Sequence, residues 1–499
     1  MVGLEVRLDR AVAARTDQAI GLLGRLVGAL SLPLAEGRHD APATAVGVMA
    51  DALDGLGATV TVVPTGPQSE TLIARIGTGS ADGPVLLLDA HLDTVPPGDA
   101  AEWDGLDPLR AYPGQATYLG DDRVRIDAGG RAVERSIRRR MGRVWEARGG
   151  GTRRVVVGRG AFDNKGPAVA QWLALAALAD TLAGGGLDGG QVLAVFSTDE
   201  ERGESGIRAT VDWLRGAGYL DRSRGADGYL ADIAAIVLEG SYSYLPVVGH
   251  RGRTLLGLRT RGRSAHAATP DLGDNAVVAM AHLLAGMDDG WPGFAAGLAG
   301  LFDDGLLEPA TAALGTTIAG GGVERVDATD EGMVVARGGT NVVPDWCEAT
   351  VDLRHPRGAG YPGDVAALPE LIRDAVAGWV GTVDSEARVT LLSASPPAAI
   401  GKSAEDAMRD PLVAAVLRAR RAVLGLPGYV ETAPGGTNGT SLIHRAEIRT
   451  LVECGPGGGL SHQPFEFVDL DDLADGARML GRLGLAALAG ALPGGEAVP

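Results

Sequence analysis

Six residues spread over most of this 499-residue chain, His91, Asp163, Glu200, Glu201, Glu239 and His462, read together as one metal site. Two imidazoles and four carboxylates, most of them at the ends of apolar strands, supply the nitrogen and oxygen donors that a pair of divalent cations needs. The chemistry such a pair supports is hydrolysis. Without thiolates the set suits Zn²⁺, Co²⁺ or Mn²⁺, and a shared carboxylate holds two such ions roughly 3.5 to 4 Å apart. Bound cations lower the pKa of water towards about 7, so the protein has still to supply a base and a place for the oxyanion.

Each segment, taken singly, also has a plainer reading. In His91-Leu92-Asp93 the carboxylate can accept a hydrogen bond from the ring nitrogen turned away from the metal, fixing the tautomer, yet His-x-Asp also occurs around structural histidines. Asp163, between a Gly-rich turn and a helix, could bridge two cations or cap the helix that starts at Lys165. Adjacent Glu200 and Glu201 diverge, so one can hold metal while the other faces substrate as a base; alone, Asp199-Glu200-Glu201 is a solvated acidic run. His462 follows the turn-rich Glu453-Cys454-Gly455-Pro456-Gly457 and is ambiguous in isolation.

The elements that must position these residues are legible from periodicity. Val85-Leu86-Leu87-Leu88 is a continuous apolar run, as expected for a strand buried on both faces of a mainly parallel sheet, and it delivers His91 and Asp93 at its carboxyl end. Residues 191–197 predict a second buried strand, ending in Thr198-Asp199-Glu200-Glu201, and residues 234–238 a third, ending in Glu239. Helical spacing over 11–30, a helix opened by Pro42 and running to Leu56, a strand over 59–63 and a helix over 165–182 complete an α/β pattern. It is a mixed, mainly parallel sheet with helices on both faces.

After Gly249-His250-Arg251-Gly252 the texture changes. A strand over 253–260, a helix over 275–287, Gly-rich turns and a strand over 347–354 read as a smaller α+β insert. Helices over 365–380 and 411–424, a strand over 449–453 and a last helix over 469–488 return to the first domain. The expected boundaries are therefore 1–248 and 358–499 for the catalytic domain and 249–357 for the insert.

Composition narrows the function classes. A hydrophobic share of 45% is that of a globular protein, and 76 glycines without any period exclude a collagen-like chain. A net charge of -18 argues against nucleic acid as a partner. Residues 1–25 lack the uninterrupted apolar core of a signal peptide and no later run is long enough to span a bilayer, so a cytoplasmic protein without a membrane partner is expected. Cys347 and Cys454, far apart and outside any Cys-x-x-Cys spacing, read as buried free thiols.

The segments His91-Leu92-Asp93-Thr94-Val95-Pro96, Gly158-Arg159-Gly160-Ala161-Phe162-Asp163-Asn164-Lys165-Gly166, Thr198-Asp199-Glu200-Glu201-Arg202-Gly203, Gly262-Arg263-Ser264-Ala265-His266 and Asn341-Val342-Val343-Pro344-Asp345 together resemble the M20 family of metallopeptidases. That family includes carboxypeptidases, aminoacylases, dipeptidases and the deacylases of arginine and lysine biosynthesis. The resemblance implies that His91, Asp163 and Glu239 hold one metal, most often zinc, and that Asp163, Glu201 and His462 hold the other. It implies Glu200 as general base, Asp93 as the partner of His91, and a cis peptide at Asp163-Asn164. The insert resembles the family's lid, which also forms the interface of a homodimer; its His266 would stabilise the oxyanion in the neighbouring subunit's site. Asn341 and Arg354 correspond to residues that grip the substrate, Arg354 through its planar fork, although a surface ion pair is the other reading of Arg354. Gly436, Thr437 and Asn438 would line the substrate pocket.

Two features depart from the family pattern. Gly240-Ser241-Tyr242 follows Glu239 where relatives often have Pro-Thr, and Asn438 stands where many carry an acidic residue after Gly-Gly-Thr. The stretch between His91 and Asp163 is also longer than the family needs, with Arg131, Arg135, Arg138, Arg139, Arg140 and Arg143 around a short helix-like segment before Gly149-Gly150-Gly151. It is either a solvated hairpin with a basic face or a wall over the pocket that selects acidic or carrier-bound substrates. The expected activity is hydrolysis of the amide of an N-acyl amino acid or short peptide with a free carboxylate. The rival from another class is a family member diverted to non-hydrolytic amide or ring formation, or to peptide binding, in a specialised pathway.

Overall fold

The computed structural model describes all residues except 30, 78–82, 186, 290–293, 295–297, 322–324, 330–331, 337–340, 362, 364 and 493–499. The chain forms two compact units, Met1–Gly249 with Ala399–Glu431 and Thr437–Pro499, and His250–Ala398 with Thr432–Gly436.

In the first unit the strands Val85–His91, Gln191–Ser197 and Ile233–Val237 are buried at every residue, as their continuous apolar composition requires. They pair in parallel, with His91 opposite Ser197 and Asp89 opposite Val237. Arg449–Leu451 adds a further parallel strand beside Ile233–Val237, while Ser69–Ile76 and Thr59–Gly66 complete the other edge antiparallel. Ile207, Val211 and Leu214 of helix Ser205–Gly216 pack on the face carrying Val85, Leu87, Leu193 and Val195. Helices Lys165–Leu182 and Leu470–Leu488 cover the sheet as well, Gly484 approaching Val192 closely enough that a side chain there would crowd it. Asp469 starts the last helix by accepting from the N–H groups of Asp471 and Asp472. Near the amino terminus the helix starts at Ala45, with Thr44 as its cap, and not at Pro42.

A second six-stranded sheet lies in the same unit, in the order Gly458–Gly459, Phe467–Asp469, Thr152–Val157, Tyr112–Gly120, Arg123–Ala128, Arg131–Ser136. The long stretch before Asp163 is therefore more than a solvated hairpin. Two tight reversals, Asp121-Asp122 and Gly129-Gly130, all at positive φ, fold it onto the sheet. Its helix Arg139–Ala147 then buries Met141, Val144 and Trp145.

The second unit is a four-stranded antiparallel sheet ordered Thr311–Gly320, Trp346–His355, Gly252–Arg261, Arg388–Ser395. Helices Ala276–Asp289 and Leu368–Val383 contribute Met280, Leu283, Ile372 and Val376 to the core formed with Leu256, Leu258, Val351 and Leu353. The boundary expected after residue 357 is corrected to Ala398. Residues 365–380 were expected to return to the first domain, but their helix packs here, and Arg388–Ser395 pairs with Gly252–Arg261, Val389 opposite Leu258. Both cysteines are free and buried. Among the described residues no helix is long and apolar enough to cross a membrane.

Candidate metal centre

His91 closes its strand almost fully buried, at 1% exposure. Its Nδ1 donates to the carbonyl of Asp93 at 3.0 Å, which leaves Nε2 facing Asp163 Oδ1 at 3.3 Å, Glu239 Oε2 at 3.5 Å and Glu200 Oε2 at 4.0 Å. A second group forms around His462, whose Nε2 lies 3.2 Å from Asp163 Oδ2 and 3.1 Å from Glu201 Oε1. The two oxygens of Asp163 thus face two different histidines.

The supports differ in part from the sequence expectation. The carboxylate of Asp93 stands 3.4 Å from His91 Nδ1, and the shorter bond to that nitrogen comes from the Asp93 main chain. The carboxylate oxygens instead accept the N–H groups of Glu200 at 3.2 Å and Glu201 at 3.1 Å, pinning the acidic turn against the histidine strand. Asp163-Asn164 is a cis peptide. Asn164 donates its side-chain amide to Leu238 O at 2.6 Å, joining the Asp163 loop to the strand end that leads to Glu239.

Sequence reasoning missed Glu466. Its carboxylate is fully buried and accepts four donors: Arg159 Nη1 at 2.6 Å and Gly160 N at 3.1 Å on one oxygen, Phe162 N at 2.9 Å and Asp163 N at 2.8 Å on the other. Glu466 therefore shapes the whole turn that presents Asp163. A lone glutamate four residues beyond His462 has no spacing that marks it. His462 itself and Phe465, just before Glu466, adopt left-handed backbone conformations, with φ of 63° and 64°, which non-glycine residues hold only where their surroundings impose it.

The donor set fits divalent cations. Donor atoms of His91, Asp163 and Glu201 all lie within 4.8 Å of one another, and Glu239 Oε1 is buried without any hydrogen-bond partner. Without cations the site holds protons. The hydrogen bonds to Asp163 and Glu201 push His462 up to about 10. Burial opposes charge on His91, yet Glu239, Asp163 and Asp93 outweigh it and hold that imidazole well above its ordinary value. Burial raises Glu239 to about 7 against the attraction of His91. Both imidazoles are held above their ordinary value, and a cation needs them neutral, so metal loading is expected to expel protons and its affinity to rise with pH. Calorimetric titration with Zn²⁺ in buffers of different ionisation enthalpy at pH 7 is expected to show release of at least about one proton. A buffer-independent enthalpy would show that the histidines are neutral beforehand.

A family profile described as peptidase family M20/M25/M40 matches residues 143–486, more than half of the chain. The chain belongs to this peptidase family. As an M20 peptidase it is a metal-dependent hydrolytic enzyme acting on amide bonds. A succinyl-diaminopimelate desuccinylase of Granulibacter bethesdensis is 27% identical over 452 residues, covering 87% of this chain and 90% of that protein. One from Methylobacterium nodulans is 30% identical over 220 residues, 44% of this chain and 43% of that protein. Among solved structures, a tripeptidase of Staphylococcus aureus superposes with a TM-score of 0.59 at 17% identity, over 95% of this chain and 98% of its own. Human carnosine dipeptidase 1 does so with 0.58 at 14% identity, over 97% and 99%.

The residues expected to meet substrate in this M20 peptidase fare unevenly. In the second unit His266 is exposed, its Nδ1 accepts Ala268 N at 3.0 Å, and the side-chain amide of Asn341 stands 2.9 Å from its Nε2. Arg354 is held by Asp352 at 2.8 Å, a carboxylate it shares with Arg253, so the ion-pair reading describes it as it stands. Thr437 and Asn438 are corrected. Thr437 is buried and donates to Val452 O at 2.7 Å, and Asn438, 1% exposed, donates to Asp89 at 2.8 Å and Ser197 at 2.9 Å. Asn438 thus joins the adjacent strands Val85–His91 and Gln191–Ser197, Thr437 fastens its loop to Val452, and both side chains are buried away from a substrate. Gly436 beside them is exposed.

Proposed function

We propose that this enzyme holds two divalent cations, zinc foremost, and hydrolyses the amide of an N-acyl amino acid or a short peptide bearing a free carboxylate. The observation that carries the reading is the two-sided Asp163, with one oxygen towards His91 and the other towards His462. His91, Asp163 and Glu239 would hold one cation, and Asp163, Glu201 and His462 the other. When bound, the cations supply Lewis acidity to the amide carbonyl and acidify the attacking water. Glu200 takes the proton from that water and passes it to the leaving nitrogen. Burial, opposed by His91, holds its carboxyl well above the usual range, which suits a group that must keep a proton between the two steps at neutral pH. Asp93 keeps Glu200 and Glu201 on the correct side of the turn.

The second unit acts as lid and dimer interface in this reading, and His266, whose Nδ1 accepts from Ala268 N–H, donates to the oxyanion through Nε2–H. His266→Ala is then expected to lower kcat by about 10²- to 10³-fold with metal content unchanged, measured by steady-state kinetics beside metal analysis. Loss of metal in that variant would remove the oxyanion role. The names of the desuccinylase relatives support including N-succinyl substrates among the candidates, and the family's hydrolytic character disfavours the non-hydrolytic alternative. A cytoplasmic location fits such substrates.

The test is primary-amine release from N-acetyl, N-succinyl and N-formyl amino acids and from dipeptides, with added Zn²⁺ or Co²⁺. Release that vanishes on chelation is the expected result. No release from any substrate with two metals bound per chain would overturn the proposal.

A further inference from the structure

Two of the three places where this chain departs from the family pattern meet at one cleft. Gly240-Ser241-Tyr242 follows Glu239, and the Arg-rich stretch precedes Asp163. Gly240 and Tyr242, with Ile137, Arg138 and Met141 of that stretch, line a small open cleft together with Phe162, Ser461 and Gln463, the chain neighbours of Asp163 and His462. Gly240 is required there, because any side chain would collide with the ring and carbonyl of Phe162. The floor is apolar, from Ile137, Met141, Phe162 and Leu460.

Most of the arginines in the stretch are committed elsewhere. Arg140 and Arg143 both end on Glu431, at 3.1 and 3.0 Å, Arg148 is paired with Asp472, and Arg135 lies over the Phe465 ring at 5.3 Å. Arg138 is different. It is exposed, it lines the cleft, and its hydrogen bond goes to the phenol of buried Tyr242, while Glu453 and Asp163 attract its charge without a hydrogen bond. A guanidinium and a phenol beside an apolar cleft floor match an aliphatic stem that ends in a carboxylate, whose lone pairs both groups can serve. A dianionic phosphate would call for more positive charge than one arginine provides.

We propose that this cleft is a specificity subsite for the acyl side of the substrate, selecting an acyl chain that carries a terminal carboxylate through Arg138. The inference rests on the amidohydrolase reading for its placement beside the scissile bond. Arg138 is a specificity-determining residue on this view, while the reacting atoms are served by Glu200 and the metal ligands.

The experiment compares the N-succinyl and N-butyryl derivatives of one amino acid, which differ only in a terminal carboxylate against a methyl group, in the wild type, Arg138→Met and Arg139→Met. For Arg138→Met, kcat/KM on the succinyl substrate is expected to fall about 10- to 100-fold, and that on the butyryl substrate by less than about threefold. Arg139, exposed and outside the cleft lining, controls for bulk charge, and its variant should keep the wild-type ratio of the two substrates. An equal fall on both substrates, an unchanged succinyl rate in Arg138→Met, or the same ratio change in Arg139→Met would overturn the proposal. Calorimetric titration of glutarate and butyrate into Glu200→Gln protein, with and without Arg138→Met, separates this inference from the reading beneath it. If wild type hydrolyses neither substrate, the amidohydrolase reading fails for this acyl class. The subsite then stands on a tenfold or greater loss of glutarate binding in Arg138→Met, and falls if glutarate binds both proteins alike.

Discussion

Glu200→Gln is expected to lower kcat by about 10²- to 10⁴-fold while the protein keeps its metal. The amide preserves the shape of the side chain, and the main-chain bond from Glu200 N to Asp93 Oδ1 at 3.2 Å is untouched, so the acidic turn and Glu201 stay in place. What disappears is the capacity to accept a proton and hand it on. Steady-state kinetics combined with metal analysis of the purified variant decides the matter. Glu200 Oε2 is 4.0 Å from the same His91 nitrogen that faces the proposed ligands. Should the variant lose metal in step with activity, Glu200 would be a ligand and the base would have to be sought elsewhere.

Glu466→Ala carries the second large effect, and it acts through the turn that holds Asp163. Removing this carboxylate strands Arg159, only 2% exposed, and frees the N–H groups of Gly160, Phe162 and Asp163 in a buried setting. Breaking a buried pair by deleting one partner costs about 3 to 5 kcal/mol, and Asp163 loses the anchor of its main chain. The variant is expected to melt at lower temperature in the metal-free form and to bind Zn²⁺ at least about tenfold more weakly, as second-layer losses at metal sites commonly do. Glu466→Gln should lie between, because one oxygen can still accept two of the four donors. Unchanged melting and unchanged Zn²⁺ affinity in Glu466→Ala would show that the turn holds Asp163 without help.

Much of this site was legible because its donors sit where apolar strands stop. His91 ends one fully buried strand, Glu200 and Glu201 follow another closely, and Glu239 lies just past a third, so the hydrophobic runs that predict the sheet also predict its edge. Residues 365–395 were misplaced for a corresponding reason. Amphipathic helices and alternating strands report that one face is buried without reporting against what, and the partner of Arg388–Ser395 lies more than a hundred residues earlier in the chain. Thr437 and Asn438 illustrate a third limit. Their place in the family pattern suggested substrate, but buried hydroxyls and amides serve the same hydrogen-bonding need with main-chain and side-chain partners. Glu466 had no signal at all, since a buried carboxylate becomes visible only once its four donors are brought around it.

The return of the chain to the first unit at Ile400, whose N–H bonds to Val248 O at 2.8 Å, has a consequence for the order in which the enzyme is built. Arg449–Leu451 must find Ile233–Val237, and Phe467–Asp469 must find Thr152–Val157, across the whole length of the insert. Long-range pairings of this kind are slow, and an insert that folds early shortens the effective loop between them. A nascent chain that stops before Arg449 already carries His91, Asp163, Glu200, Glu201 and Glu239. It lacks both the histidine that faces the second oxygen of Asp163 and the carboxylate that shapes the Asp163 turn. The candidate metal centre is thus completed by a late-synthesised loop between Gly459 and Phe467, and hydrolytic competence would mark a chain made past that loop.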